Sequence, residues 1–293
     1  LGLSATPDIE ENFSASEYLR EFFGAICKSY DLPDGIRDRV LCRYRYYPQP
    51  AYLEPKLGGQ YLNLLDQLHG REIDQTKRME LYRLTRQLLR TSGVQLSYFA
   101  ALLDQLCKVG PDVSHTLVYC PPGYGAYGFD RADEIGKEFY DSRLVEGVVD
   151  ILRNRGLSTS SILGGTPGPQ RLEILKRFAR GDLQTLCAIG CLDEGVDVPS
   201  IKRAIVLYSV DREKQFVQRR GRILRNPARD DKKIAEIYDV VLLPHGTDMS
   251  SEKAELLLSK ELRRYRTFAE LAMNREEADQ VLANALATAS RHR

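Results

Sequence analysis

The chain has 293 residues, with 42 Lys and Arg against 41 Asp and Glu, and 43% of its residues are hydrophobic. This length corresponds to about two domains with proper cores, and the near-zero net charge neither favours nor excludes a nucleic-acid partner. The apolar runs are far shorter than the roughly 18 residues of a membrane span, and there is no signal-peptide pattern, so a membrane protein is excluded, as are a disordered chain and a secreted disulfide domain. The six cysteines are scattered and form no Cys-x-x-Cys pair. They argue against a zinc site and predict reduced thiols in a cytoplasmic protein.

The amino-terminal part is predicted to contain one helix and one strand. Residues 16–23 form a short amphipathic stretch that ends at Gly24, a residue type that commonly stops helices. Residues 41–52 alternate arginine with tyrosine and are bounded by prolines, which predicts a strand. Because the chain starts with Leu1 rather than methionine, we interpret it as a segment of a longer protein.

A helical pattern follows and then gives way to alternating strands and helices. Apolar residues in 60–108 recur at steps of three and four, which predicts three helices before the break at Gly110-Pro111. The strands predicted beyond this break are 116–120, 160–163, 185–189, 203–208 and 235–243, and the helices are 144–155, 169–180 and 215–222. This alternation is typical of βαβ units on a parallel sheet, where functional groups gather at the carboxyl ends of the strands.

A helical tail is predicted after the loop 244–251. Its apolar residues lie on one face, namely Leu258, Leu262, Tyr265, Phe268 and Ala272. Its arginines Arg263, Arg264 and Arg266 lie on other faces. Two interpretations stay open: the tail packs back on its own domain, or it docks on another subunit through these arginines.

The most informative stretch of the chain is basic. Residues 212–233 hold nine basic and three acidic residues. Arginine keeps its proton and matches phosphate oxygens bidentately. Arg222 and Arg225 have helical i, i+3 spacing, so we expect them to share one face, near the functional edge of the sheet. This arrangement is suited to holding a polyphosphate, and the alternative is a solvated basic surface.

Two further stretches follow predicted strands. Residues 190–199 come directly after strand 185–189 and contain acidic residues, a glycine and a proline. Asp197 could accept hydrogen bonds from ribose hydroxyls or orient an arginine, and a structural turn is the alternative. In 3–7, the hydroxyls of Ser4 and Thr6 could relay hydrogen bonds, and a simple turn is the alternative.

Together, in this order, these stretches resemble motifs III, V and VI of superfamily 2 helicases. They read Ser-Ala-Thr-Pro, Glu-Gly-Val-Asp-Val-Pro and Gln-Arg-Arg-Gly-Arg-x-x-Arg. Other stretches resemble the branch of XPB-type repair helicases, UvrB-like proteins and restriction-enzyme helicase subunits, and these are 22–24, 164–166, 171–178, 203–207 and 260–270. The resemblance implies an α/β fold, a RecA-like parallel sheet flanked by helices, in a protein with two such lobes and ATP bound between them.

The resemblance also implies a domain organisation. Residues 1–55 would hold the end of the first RecA-like lobe and the crossover segment, 56–110 a helical insert or linker, 111–247 the second lobe, and 248–293 a helical tail. The phosphate-binding loop Gly-x-x-x-x-Gly-Lys-Ser/Thr and the acidic magnesium motif of the first lobe are absent from the sequence. ATP and Mg²⁺ would therefore be held mainly by the missing lobe, and this chain alone would be inactive.

Individual residues receive roles from the same resemblance. Arg222 and Arg225 would be arginine fingers, which are worth about 10³–10⁵ in rate, and Gln218 would approach the γ-phosphate or the attacking water. The remaining assignments are cofactor binding by Gly195, Asp197 and Gly221, contact with the nucleic-acid backbone by Thr166, Gly190 and Cys191, and coupling between lobes by Ser4, Ala5 and Thr6.

The predicted function is an ATP-dependent DNA helicase or translocase in DNA repair or phage defence. By resemblance to this branch, DNA is favoured over RNA and 3′-to-5′ movement over the reverse, with the N-terminal lobe, and a nuclease or other subunits, as partners. The alternative is a nucleic-acid-binding or assembly module without its own ATPase cycle. Residues 43–47 are its best feature, because aromatic side chains among arginines can stack on bases; an exposed linker strand is the plainer interpretation.

Overall fold

The fold is built on a six-stranded parallel sheet. The computed structural model describes residues 21–24, 30–69, 73–91, 93–108, 113–120, 143–189, 201–207, 213–226, 233–244 and 252–291. The strands are β1 Arg43–Tyr52, β2 Thr116–Cys120, β3 Thr159–Ile162, β4 Thr185–Ile189, β5 Arg203–Val206 and β6 Ile234–Leu243. Their order is β1-β6-β5-β2-β4-β3, and every neighbouring pair is parallel. The predicted fold class, a parallel sheet flanked by helices, is confirmed.

The helices agree with most of the predicted pattern. They are α1 Leu32–Arg37, α2 Pro55–His69, α3 Gln75–Thr91, α4 Val94–Lys108, α5 Arg143–Arg153, α6 Gly168–Arg180, α7 Glu213–Ile223, α8 Glu252–Ala269 and α9 Arg275–Arg291. The three helices expected in 60–108 are α2, α3 and α4. Helix α6 ends at Arg180 and is capped by Gly181, whose φ of 85° is the left-handed conformation that glycine adopts without strain. None of the described helices is long and apolar enough to span a membrane.

Helices cover both faces of the sheet and create two cores. One core, on what we term the tail face, joins α6, α7, α8 and α9 to the sheet and includes Tyr44, Phe178 and Phe268. The other, on the insert face, joins α2, α4 and α5 to the sheet and includes Phe99 and Val118. The central strand β2 is buried along its whole length, as expected for a strand covered on both sides.

Strand β1 forms one edge of the sheet and pairs with β6 from Arg43 to Tyr52. The sequence predicted the strand but grouped it with residues 1–55, as part of a preceding lobe and crossover. In the structure it shares the sheet with the strands between 116 and 243. The domain boundaries themselves stay a prediction.

The turn between α8 and α9 covers the open edge of β1. The Met273 N–H donates to the Tyr44 carbonyl at 2.9 Å. The Asn274 side chain accepts from the Tyr46 N–H at 2.8 Å and donates to the Tyr46 carbonyl at 3.0 Å. Covering an edge in this way prevents it from pairing with another chain. The interpretation that the tail packs on its own domain is therefore confirmed, and docking through Arg264 is wrong, because Arg264 is fully buried.

Candidate active site

Helix α7 carries the basic motif and crosses from β5 to β6. Because a crossover between parallel strands returns the chain to their amino ends, the end of α7 lies at the amino edge of the sheet. There the Leu224 carbonyl accepts from the Cys42 N–H at 2.8 Å, and the Asn226 N–H donates to the Val40 carbonyl at 3.0 Å, just before β1. The expectation that these arginines lie beside the carboxyl ends of the strands is wrong for this reason.

The four arginines of the motif, three on α7 and one just beyond its end, divide into an inner and an outer pair. Arg219 is only 2% exposed, and its guanidinium carbon lies 4.9 Å from the centre of the Tyr119 ring. Arg220 is 9% exposed and donates through Nη1 to the Thr267 carbonyl on α8. Arg222 is half-buried and Arg225 is exposed. Two of these four arginines thus belong to the core, and the other two remain at least partly exposed.

Arg225 lies just beyond the end of the helix, where it forms an isolated bridge with Leu41, so its shared face with Arg222 stays a prediction. Helix α7 ends at Ile223, and the Arg225 N–H then donates to the Arg222 carbonyl at 3.3 Å. Lys233, which precedes β6, donates from Nζ to the Arg225 carbonyl at 2.5 Å and adds a third basic residue here. Burial lowers the pKa of Lys233, and the nearby Cys42 thiol opposes this shift.

The predicted nucleotide-binding residue Gly221 lies in α7 between the two pairs of arginines. It is half-buried, and a Cβ added to it would meet no atom within 4 Å. A glycine inside a helix costs about 1 kcal/mol relative to alanine. Packing among the described residues therefore does not explain why glycine occupies this position. Gln218, one turn earlier on α7, is also half-buried.

Thr166 lies at the opposite edge of the sheet, after the carboxyl end of β3. Its hydroxyl accepts from the Leu163 N–H at 2.9 Å, and its own N–H donates to the Leu163 carbonyl at 3.1 Å. Thr166 therefore shapes the turn that leads into α6. The structure places Thr166 apart from Arg222 and Arg225, because Thr166 follows the carboxyl end of a strand and the two arginines lie near the amino ends. The remaining predicted site residues lie outside the described part of the chain, and these are Ser4, Ala5, Thr6, Gly190, Cys191, Gly195 and Asp197.

A buried charged network lies on the tail face near the inner side of α7. Asp239 Oδ2 accepts from the Tyr46 hydroxyl at 2.8 Å and from Arg264 Nε at 3.0 Å. Arg264 also pairs with Glu261 at 2.7 Å. Burial raises the pKa of Asp239, and the Arg264 and Arg219 charges oppose the rise. Because these charges balance one another inside the protein, they are not available to a ligand.

The arginine-tyrosine strand proposed for stacking on bases is mostly a core element. Tyr44 and Tyr46 are fully buried, and the Tyr46 ring stacks on Phe268 with centres 5.7 Å apart. Tyr47 is half-buried and stacks on Tyr238 at 4.8 Å. Base stacking by Tyr44 and Tyr46 is therefore excluded, because alternate side chains of a strand point into the core. Within the described residues, no cluster of His, Cys, Asp or Glu could hold a metal ion.

The region that contains α5, α6 and α7 matches a known domain family. Residues 137–227 match the family described as helicase conserved C-terminal domain. The chain is 42% identical over 82 residues to the DNA 3′-5′ translocase XPB2 of Sulfurisphaera tokodaii, a stretch that covers 28% of this chain and 17% of that protein. The predicted resemblance to the C-terminal half of superfamily 2 helicases is thereby confirmed.

Two other relatives extend the comparison. A candidate ATP-dependent RNA helicase of Methanocaldococcus jannaschii, MJ1505, is 27% identical over 128 residues, or 41% of this chain and 15% of that protein. Candidate helicase 22 of Sulfolobus islandicus filamentous virus is 24% identical over 244 residues, or 82% of this chain and 37% of that protein. The chain thus spans well under two thirds of each of these three proteins.

Proposed function

We propose that this chain is the C-terminal half of an ATP-dependent DNA helicase or translocase and contributes arginines to an ATP site shared with a preceding RecA-like lobe. The observation that carries the proposal is the division of arginines along α7. Arg219 and Arg220 are used by the core, whereas Arg222 is half-buried and Arg225 exposed. The outer pair matches the arginine positions of the helicase motif and has guanidinium groups suited to phosphate oxygens.

Bound ATP would supply the phosphoryl group to be transferred, and Mg²⁺ would be held mainly by the preceding lobe. On this chain, Arg222 and Arg225 neutralise charge on the transferring group, and Gln218 orients the attacking water. Gly195, Asp197 and Gly221 lie against the nucleotide. Packing among the described residues does not require a glycine at position 221. Its presence supports this proposal, because a helix surface without a Cβ lets another group approach closely.

Thr166, Gly190 and Cys191 are proposed to contact the nucleic-acid backbone, and Ser4, Ala5 and Thr6 to couple the two lobes. Such backbone contacts are independent of sequence and weaken steeply with salt. XPB2 is named a DNA translocase and MJ1505 an RNA helicase. We propose DNA as the substrate because XPB2 is the more identical of the two, and 3′-to-5′ movement on the same ground. Service in DNA repair or phage defence stays a prediction.

The direct test measures DNA-stimulated ATP hydrolysis by the complete protein carrying Arg222→Ala or Arg225→Ala. We expect turnover to fall by about 10³-fold or more, since arginine fingers contribute that much, without a change in the unfolding midpoint. Arg177→Ala is the control, because Arg177 is an exposed arginine in the last turn of another helix, α6. Unchanged turnover in both test variants would contradict the proposal.

Gly221→Ala provides a second arm of this test. Alanine fits the described structure and favours the helix, so the free energy of unfolding should rise by up to about 1 kcal/mol. If nucleotide approaches this surface, the KM for ATP should nevertheless rise. A fluorescence titration of the chain with DNA tests the alternative: tight binding by the chain alone, together with unchanged ATP turnover in the arginine variants, would favour a binding module.

A further inference from the structure

The carboxyl end of α8 is completed by groups from other parts of the chain. The last four carbonyls of a helix have no partner within it. In α8, the first and last of these four bond to the backbone of the following turn, at Glu270 N–H and Ala272 N–H. The two between them, at Thr267 and Phe268, do not follow this pattern.

Those two carbonyls accept from the side chains of Arg220 and Tyr44. Arg220 on α7 donates to the Thr267 carbonyl, and the Tyr44 hydroxyl on β1 donates to the Phe268 carbonyl at 2.8 Å. A cation at the carboxyl end of a helix is also favoured by the helix dipole. Arg220 therefore links helix α7 to the carboxyl end of the tail helix α8.

A contribution to stability does not by itself explain why an arginine occupies position 220. It is 9% exposed, and its Nε has no hydrogen-bond partner among the described residues. A buried guanidinium with an unmade hydrogen bond is often no better for stability than an apolar side chain of similar volume. Its location is more informative, because Arg220 stands two residues before Arg222 on the same short helix.

We propose that Arg220 is a positioning residue that seats α7 on the carboxyl end of α8 and thereby sets the placement of Arg222 and Arg225. The inference rests on the proposed function, since it assumes that these two arginines contact phosphate. It makes the tail helix a part of the ATPase machinery in addition to its packing against the sheet. Arg220 itself does not touch the nucleotide in this proposal.

The test compares Arg220→Gln with the parent in the complete protein at saturating DNA. A displacement of about 1 Å in a catalytic group costs about 10²-fold in rate, so kcat per folded molecule should fall by about that factor. The KM for ATP and the DNA dissociation constant should stay within about twofold. Arg220→Lys should recover most of the lost kcat, because an ammonium can still donate to the Thr267 carbonyl.

Arg155→Gln is the matched control for loss of an arginine that donates to a helix carbonyl. Arg155 donates to the Ala100 carbonyl of α4 at 3.1 Å and pairs with Asp104, on the insert face. We expect its kcat to be unchanged. The folded fraction of every variant at the assay temperature comes from urea unfolding, so that turnover is compared per folded molecule.

The outcomes separate this inference from the proposed function. Full turnover in Arg222→Ala and Arg225→Ala would remove the proposed function, whatever Arg220→Gln does. Loss of turnover in those variants together with full kcat in Arg220→Gln would overturn the inference alone. An equal fall of kcat in Arg155→Gln, or no recovery in Arg220→Lys, would also overturn it, because the effect would then come from destabilisation.

Discussion

The two faces of the sheet are stabilised in different ways. The core of the insert face is mostly apolar, with residues such as Phe99, Leu103 and Val118 fully or almost fully buried. Among the described residues, Arg203 is the buried charged side chain on this face, and it pairs with Glu236 at 2.6 Å. The tail face buries five charged side chains, which are Arg219, Arg220, Asp239, Glu261 and Arg264. Apolar packing tolerates repacking at a small cost, whereas buried charges require one set of partners. The face that carries α7 is therefore the one whose geometry is most narrowly defined.

The charged residues of α8 also bond to the backbone of β6 beyond its described pairing with β5. Pairing between β5 and β6 ends at Val206 and Asp239, while β6 continues to Leu243. Beyond that point Arg264 donates to the Val240 carbonyl at 2.8 Å, and Glu261 accepts from the Leu242 N–H at 3.0 Å. Two backbone groups of β6 that have no other partner among the described residues are thus satisfied by side chains, as buried backbone groups must be.

The largest effect is expected from Arg264→Met. This change leaves Asp239 and Glu261 buried without their positive partner, and breaking such a pair costs about 3–5 kcal/mol. Urea unfolding followed by circular dichroism measures the loss. Arg263→Ala, one residue earlier on the exposed side of α8, should change the free energy of unfolding by less than about 0.5 kcal/mol. Equal losses in the two variants would contradict the role of the network.

The loss in Arg264→Met should depend on pH. Burial already raises the pKa of Asp239 and Glu261, and Arg264 opposes the rise, so removing Arg264 raises both further. A raised pKa in the folded state gives stability that is present below the unfolded pKa and lost as pH rises through the folded pKa. The difference in the free energy of unfolding between variant and parent should therefore be largest at pH values above the raised pKa values of the two carboxyl groups. It should become smaller as the pH falls toward about 4.

The insert face should respond differently to a core change. Leu103 is almost fully buried on α4, and Leu103→Ala should cost about 3 kcal/mol through lost burial and a cavity. Since no charged group is involved, this loss should be the same at neutral and acidic pH. Gln105→Ala, an exposed change on the same helix, is the control. A loss in Leu103→Ala that shrank with falling pH would remove the contrast between the faces.

The smallest of these effects is expected at the edge of the sheet. Asn274→Ala removes both hydrogen bonds to the backbone of Tyr46 and should cost about 1–3 kcal/mol, less than the loss of Arg264. It also uncovers part of the β1 edge, so light scattering at high protein concentration should increase. Gln280→Ala on α9, which removes only an exposed contact with Asn284, should leave both measurements unchanged.

The sequence predicted most elements because their patterns are local. The alternation of residues 41–52 and the three- and four-residue steps of 60–108 follow directly from strand and helix geometry. It did not predict that β1 would pair with β6, nor that Asn274 would cover its edge, because these contacts join residues more than 190 positions apart. Distance along the chain also explains why Thr267, 47 positions beyond Arg220, was missed as its partner, whereas Lys233, eight positions from Arg225, already belonged to the predicted basic stretch.

By itself, the sequence determined the parallel α/β fold class, the order of its elements and the motifs that match the helicase C-terminal domain, since these depend on residue type and spacing. Only the tertiary structure decided which arginines of α7 are inside and which remain at the surface. Adjacent positions of one short helix differ by about 100° in direction. Which arginines are buried therefore depended on the positions of their partners, which are Tyr119 on β2, Asp239 on β6 and the Thr267 carbonyl on α8. The spacing of residues along the chain does not predict those partners, because they come from distant parts of the sequence.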